Sequence, residues 1–359
     1  MASASNKKTR ELYEEAMGRK KLWLLMLLLT AITIAMLTLN AGASNLSMAK
    51  VGAALLGSGE TKDIMVVQNI RLPRVLAGFV AGTGLALAGC IMQNNLSNPL
   101  ASPSTLGISN AAAFGANVAI IVFGGGSVVN SGLGQVVINN PYIVTLTALF
   151  FALLAVALIL GLSLIRRFSP ESVILAGVAI SSLFAAGTMI IQYFAADSTQ
   201  VAAVIFWTFG DLGRASWREI AIMAVTVIVS FLYFMVRRWD YNALDGGEDV
   251  AKSLGVHTKQ VRLGGMFMAA LIAAVTVSFL GIIGFIGLVA PQITKRLIGN
   301  DKRYLIPASA LVGAIILLGS DTLARTVISP QVLPVGAVTS FLGAPLFLYL
   351  LMRKGGVKG

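Results

Sequence analysis

Charge is scarce in this chain. Of its 359 residues only 12% are Asp, Glu, Lys or Arg, against a globular norm of roughly 25%, while 57% are hydrophobic and the mean hydropathy is +0.84. That balance excludes an ordinary soluble domain. Cysteine and histidine are nearly missing: Cys90 and His257 are the single examples of each, which excludes a disulfide framework, a thiolate cluster and a fixed metal or haem site. Any metal the protein handles is therefore cargo, and no cofactor is expected. No G-x-x-x-x-G-K-[ST] phosphate loop occurs, so the chain is not itself an ATPase. No grouping of nucleophile, base and metal ligands points to a membrane enzyme. Acids inside apolar segments are also rare, which argues against an ion-coupled carrier. The exception is Asp321, four residues before Arg325 on one helix, the spacing of an i,i+4 ion pair.

What the sequence has is length of apolar chain. Residues 75–165 form an uncharged stretch of 91, far beyond the ~20 residues one helix needs to cross a bilayer. Residues 1–21 are polar and basic, and the apolar run that follows has no small-residue cleavage site, so it reads as a first span and not a removed signal. Uncharged length and breaker residues place helices near 22–41, 73–93, 105–123, 142–165, 171–195, 217–236, 262–280, 282–297, 304–325 and 334–352. The fold class is thus an all-α polytopic membrane protein with about ten transmembrane helices. The segment 263–294 is uncharged for 32 residues, too long for one span, and Gly281, Gly284 and Gly287 suggest a reversal inside it.

The net charge of +12 reads as topology and not as nucleic-acid binding, because Lys and Arg sit between apolar blocks and do not gather on a soluble face. With both termini cytoplasmic, the inner segments hold 20 of the 27 Lys and Arg residues, the bias expected of a multi-pass protein of a prokaryotic cytoplasmic (inner) membrane. The expected organisation is a cytoplasmic segment 1–21, one transmembrane domain 22–353 with a hydrophilic inner segment 237–262, and a cytoplasmic tail 354–359. The Gly/Ser/Asn-rich stretch 124–140 reads as an outer loop. Gly78, Gly82, Gly84 and Gly89 run through the second span, and small residues at such spacing let helix backbones approach closely.

Two segments carry charge where composition alone does not explain it. In Arg71-Leu72-Pro73-Arg74, Pro73 marks a first helical turn, and cations at a helix N-terminus oppose its dipole. They are either snorkelling to lipid phosphates or facing an acidic protein partner, with Arg325 as a third contact. On the cytoplasmic side, Asp245, Gly246, Gly247, Glu248, Asp249, Val250, Ala251, Lys252, Ser253, Leu254 and Gly255 read as a short capped helix. Asp245 or Gly246 starts it, acids fill its first turn, Val250, Ala251 and Leu254 share a face, and Gly255 ends it. So small an apolar face binds lipid weakly, which favours docking to a partner protein.

These residues resemble the permease subunits of ATP-binding-cassette importers for iron chelates, haem and cobalamin. The resemblance rests on an ordered set: Arg71-Leu72-Pro73-Arg74; Gly89-Cys90-Ile91-Met92-Gln93; Asn98-Pro99-Leu100-Ala101 with Pro103, Leu106 and Gly107; Leu175-Ala176-Gly177; Trp207 with Gly210; the Gly247-Glu248 to Leu254-Gly255 segment; Gly284 to Pro291; and Gly343-Ala344-Pro345. It implies a non-catalytic homodimeric permease paired with a second copy of itself, two cytoplasmic ATP-binding subunits and an extracytoplasmic substrate-binding protein. It implies that Arg71, Arg74 and Arg325 receive acids of the binding protein. It assigns Asp245, Gly246, Gly247, Glu248, Ala251, Leu254 and Gly255 to ATPase coupling, and Ser169-Pro170-Glu171-Ser172 to the entry of a pathway-lining helix and its cytoplasmic gate. The expected cargo is a ferric siderophore, with cobalamin or haem as alternatives. One departure stands out: Gln292 and Lys295 occupy positions where the family commonly has His and Arg, and Gln292 receives no role.

Overall fold

The computed structural model describes residues 2–42, 46–124, 127–128, 136–137, 140–165, 169–195, 198–329 and 331–352. Its elements are helices apart from one short antiparallel pair, Ser127–Val128 with Val136–Val137. That pair lies within the stretch read as a loop, most of which falls outside the described residues, as does the tail 354–359.

The chain opens with α1 (Ala2–Asn40), a single helix of 39 residues and roughly 58 Å. The polar segment 1–21 is therefore not separate from the first span; from Ala2 onward it continues the same helix. Two short helices not expected from the sequence follow, α2 (Met48–Leu55) and α3 (Thr61–Val66). A π-helical turn, Val67–Arg71, joins α3 to α4 (Leu72–Asn95) without a break. Pro73 thus sits inside a continuous helix and not at its start. Its ring would press on the carbonyl four residues back, and the widened π turn just before it supplies the room.

Next come α5 (Ile108–Asn117), extended by a second π turn over Val118–Val122, then α6 (Pro141–Ile165) and α7 (Pro170–Tyr193). A short α8 (Ser198–Thr208) occupies a region read as connection. Further on are α9 (Trp217–Val236), α10 (Arg238–Asp245), α11 (Glu248–Ser253), α12 (Thr258–Leu280), α13 (Ile286–Ile298), α14 (Lys302–Thr326) and α15 (Val335–Met352). Among the described residues, seven helical segments are long and apolar enough to cross a membrane. Helices also stand at the other three predicted places, as the shorter α5, α13 and α15. At 13 residues α13 reaches only roughly 20 Å. An irregular linker, Gly281–Phe285, precedes it, with positive φ at Gly281 and Phe285.

The helix α4 is the hub. It is buried along most of its length and packs against α14, α12, α13 and α9. Two glycine contacts set these distances: a Cβ on Gly82 would meet the Gly313 carbonyl, and one on Gly89 would strike the Gly287 backbone. The small-residue reading of α4 is thus a statement about backbone contact with α14 and α13. In contrast, α7 buries only Val173, Ala176, Gly177, Ile180 and Phe184, leaving Leu175, Leu183, Met189 and Tyr193 open.

Candidate functional site

At one end of α4 three arginines converge on two targets. The Arg71 side chain is buried, and its Nη1 donates to the carbonyls of Leu39 (3.0 Å) and Asn40 (2.9 Å). Arg325 donates to the carbonyls of Ala41 (2.6 Å) and Thr38 (3.1 Å). The last carbonyls of a helix lack intrahelical donors and carry the negative end of its dipole, so both arginines close the C-terminus of α1. This accounts for charges that seemed misplaced: they answer the end of a neighbouring helix. Arg71 does not face outward, contrary to the expectation for a docking contact.

The second target is Asp321, wholly buried on α14. It accepts from Arg74 Nε (3.0 Å) and Nη2 (2.9 Å), and from Arg325 Nε at 2.9 Å, the i,i+4 pair expected from spacing. Arg74 Nη2 also lies 3.3 Å from Asp211, which is half-exposed. Nearby, Arg214 donates to the carbonyls of Trp207 and Phe206 and so closes α8. An open cavity of about 940 Å³ adjoins this cluster, with Arg74, Asp211, Arg214, Glu219, Tyr142 and Trp207 in its walls. Asp211 was not singled out from sequence; its position just after Gly210 in an uncharged run was the available signal.

At the other end of α4, Asp245 ends α10 and does not start the next helix. Gly246 and Gly247 make the break, and Gly247 takes φ 103°, a left-handed value a side chain would resist. The Asp245 carboxylate accepts from Asn94 of α4 (2.6 Å), Asn300 (2.7 Å) and the buried Lys302 of α14 (2.5 Å). Glu248 pairs with Lys252 (2.8 Å) and with Arg262 of α12 (2.9 Å). The Lys252 hydrogen bond, aided by Arg262, outweighs burial and holds the Glu248 carboxyl below its usual range. Ala251 is fully buried against this scaffold, whereas Val250 and Leu254 are 49% and 67% exposed. The three residues do not share one face. Ala251 anchors α11, and Val250 and Leu254 face out, with Gly255 ending the turn at φ 80°.

The helix expected from residue 171 begins one residue earlier, at Pro170. Ser169 is the N-cap, its Oγ accepting from Ser172 N at 3.2 Å, Pro170 occupies the first turn and Glu171 lies at the positive helix end. Further along, Asn110 Nδ2 donates to Ser181 Oγ (2.7 Å), tying α5 to α7. Gln292, left without a role, donates to Gln93 Oε1 at 2.7 Å, and Gln93 in turn donates to the Leu288 carbonyl at 3.2 Å. The pair joins α4 to α13. No grouping of three or more His, Cys, Asp or Glu suited to a metal occurs among the described residues.

Comparison with known proteins adds a consistent set of likenesses. The model of the FecCD transport family matches residues 27–353. An ABC transporter permease protein of Methanocaldococcus jannaschii, whose name carries no substrate, is 54% identical over 335 residues, covering 93% of this chain and 95% of that one. The Fe(3+)-citrate import system permease protein of Bacillus subtilis is 34% identical over 336 residues, covering 93% and 95%. A solved structure assigned as a metal-chelate type ABC transporter, in an inward-facing conformation, superposes with a TM-score of 0.78 at 27% identity, covering 93% of this chain and 99% of that one.

Proposed function

Because this chain belongs to the FecCD transport family, and so is a non-catalytic, multi-pass permease subunit of an ABC importer, we propose that it carries a bulky metal chelate inward, a ferric siderophore first. We propose ten spans with both termini cytoplasmic, a pathway formed with a second copy of the chain, two separate ATPase subunits below and a substrate-binding protein above. The observation that carries this reading is the pair of paired-charge clusters at opposite ends of the α4–α14 unit. Arg74 and Asp321 join the two helices at one end, and Asn94 and Lys302 meet on Asp245 at the other. A unit so tied can move as one body, which suits alternating access.

In this reading the binding protein's acids compete for Arg74 and Arg325, while Arg71 contributes by holding α1. Asp245, Gly246, Gly247, Glu248, Ala251 and Gly255 shape and anchor the coupling segment, and Leu254 with Val250 enters the ATPase. Ser169, Pro170, Glu171 and Ser172 form the gate at the entry of α7. The ion-coupled alternative loses support because its one candidate acid, Asp321, is consumed by two arginines. The test of cargo is co-purification with the binding protein and mass spectrometry of the bound ligand. An iron chelate supports the siderophore assignment, and a corrinoid or haem replaces it.

Topology has its own test. Cys90 is buried, so single cysteines introduced elsewhere report without background. A membrane-impermeant maleimide is expected to label Gly124→Cys from outside and Ser253→Cys only from inside. Labelling of both from one side contradicts the count of spans between them.

A further inference from the structure

Three elements far apart in sequence bring cations and aromatic rings to one end of the molecule: α1 near residues 19–23, the α9–α10 junction, and the start of α14. Lys20 Nζ lies 3.9 Å from Asp301 and 5.6 Å from the Tyr304 ring centroid, which seats α1 on the N-terminus of α14. The Arg303 guanidinium stands 4.8 Å from the Trp239 ring centroid and 5.6 Å from that of Tyr304, bridging α14 to α10. Arg19 and Lys21 flank Lys20 on α1 and are exposed, Trp23 lies about a turn further along, and Arg238, whose Nη1 donates to the Met235 carbonyl at 2.6 Å, stands between Arg237 and Trp239 in the chain. Trp23 and Trp239 are 37% and 56% exposed at the boundary where the apolar spans α1 and α9 end.

The acids here are few and engaged. Asp301 accepts from Arg303 (2.7 Å) and Asn242 (3.2 Å); although burial opposes it, these bonds keep the Asp301 carboxyl below its usual range. Asp240 pairs with Arg237 at 3.0 Å. Glu14 and Glu15 belong to α1 about a turn further from the apolar span. Lys20 and Arg303 share Asp301 and Arg237 holds Asp240, so Arg19, Lys21 and Arg238 are the positive charge that these two carboxylates do not answer. Indole rings settle at the headgroup level, and clustered cations at that depth attract anionic lipid.

We propose that this end of the molecule, with Arg238 and Trp239 beside the Arg303–Tyr304 junction and Arg19 and Lys21 to either side of Lys20 on α1, binds anionic phospholipid headgroups. The site fixes the extended α1 against α10 and α14. It depends on the membrane reading and not on the identity of the cargo.

The test uses the full chain in nanodiscs of equimolar phosphatidylglycerol and phosphatidylcholine, followed by native mass spectrometry of retained lipid. Wild type is expected to keep phosphatidylglycerol over phosphatidylcholine. Arg19→Gln with Lys21→Gln and Arg238→Gln is expected to cut that retention by about tenfold or more. The charge-keeping variant Arg19→Lys with Arg238→Lys should restore it, and a control at the opposite end, Lys50→Gln with Lys62→Gln, should leave it unchanged. Monodispersity by size exclusion separates loss of lipid from loss of fold. Unchanged retention in the triple variant overturns the proposal, as does an equal loss in the control or no preference in wild type. A triple variant that keeps its lipid but sheds the ATPase marks the surface as a protein interface and also overturns it.

Discussion

Replacing Leu254 with Asp, together with Val250→Asp, is expected to separate the permease from its ATPase while leaving the permease folded. Both side chains face away from their own chain, so in isolation the charges stay in water and cost little. Buried in a cleft of a partner, an unpaired carboxylate costs several kcal/mol, enough to lower association by orders of magnitude. The variant should purify as a monodisperse permease, retain far less ATPase and lose the stimulation of hydrolysis by loaded binding protein. Wild-type association and stimulation would remove α11 from coupling. Ala251→Asp is a poorer probe than its place in the segment suggests. Ala251 is fully buried within this chain, so that substitution is expected to dislodge α11 from α10 and α12 whatever binds outside. Comparing the two variants separates anchoring from contact.

The second large effect concerns Asp321. It is fully buried and accepts from both Arg74 and Arg325; neutralising it leaves two partly buried guanidinium groups without their shared counter-charge. Breaking a buried pair in this way costs about 3–5 kcal/mol, so Asp321→Asn should lower the thermal midpoint of the detergent-solubilised protein markedly. Arg74→Gln should cost less, because Arg325 remains to pair with Asp321, yet under the proposed docking role it removes a cation that the binding protein would meet. Its expected signature is weakened association with that protein at low salt, with a thermal midpoint between those of Asp321→Asn and wild type, because the Arg325 pair that remains lies within α14. An Asp321→Asn protein as stable as wild type would show that the cluster does not hold α4 to α14. Reversing Arg71 and Arg74 together is not a clean probe of docking. Arg71 closes α1, so that double reversal tests folding at least as much as docking.

Uncharged length and breaker residues located helices at every predicted place, because a bilayer-length uncharged run leaves the backbone few other options. Glycine spacing in α4 pointed correctly to close packing, although only the fold shows that the partners are Gly313 and Gly287. The charges were harder to read. Arg74 meets an acid 247 residues away, and Arg71 meets carbonyls 31 and 32 residues back; pairings at that separation leave no mark in local spacing. The coupling segment shows the same limit at short range. Residues 250, 251 and 254 lie close on a helical wheel, but which of them turns inward depends on the backbone break at Gly246 and Gly247 and on the hold of Glu248 on Arg262. The short α8 escaped notice because its 11 residues are too few to span.

The central claim, that this chain couples chelate import to a separate ATPase, is tested most directly by reconstituted uptake. Permease, ATPase subunits and loaded binding protein would be assembled in proteoliposomes, and the chelate accumulated inside measured with ATP present, with ATP absent, and with an imposed proton or sodium gradient. The account predicts accumulation that requires ATP hydrolysis and the binding protein and is indifferent to the ion gradients. Accumulation driven by an ion gradient without ATP would contradict it.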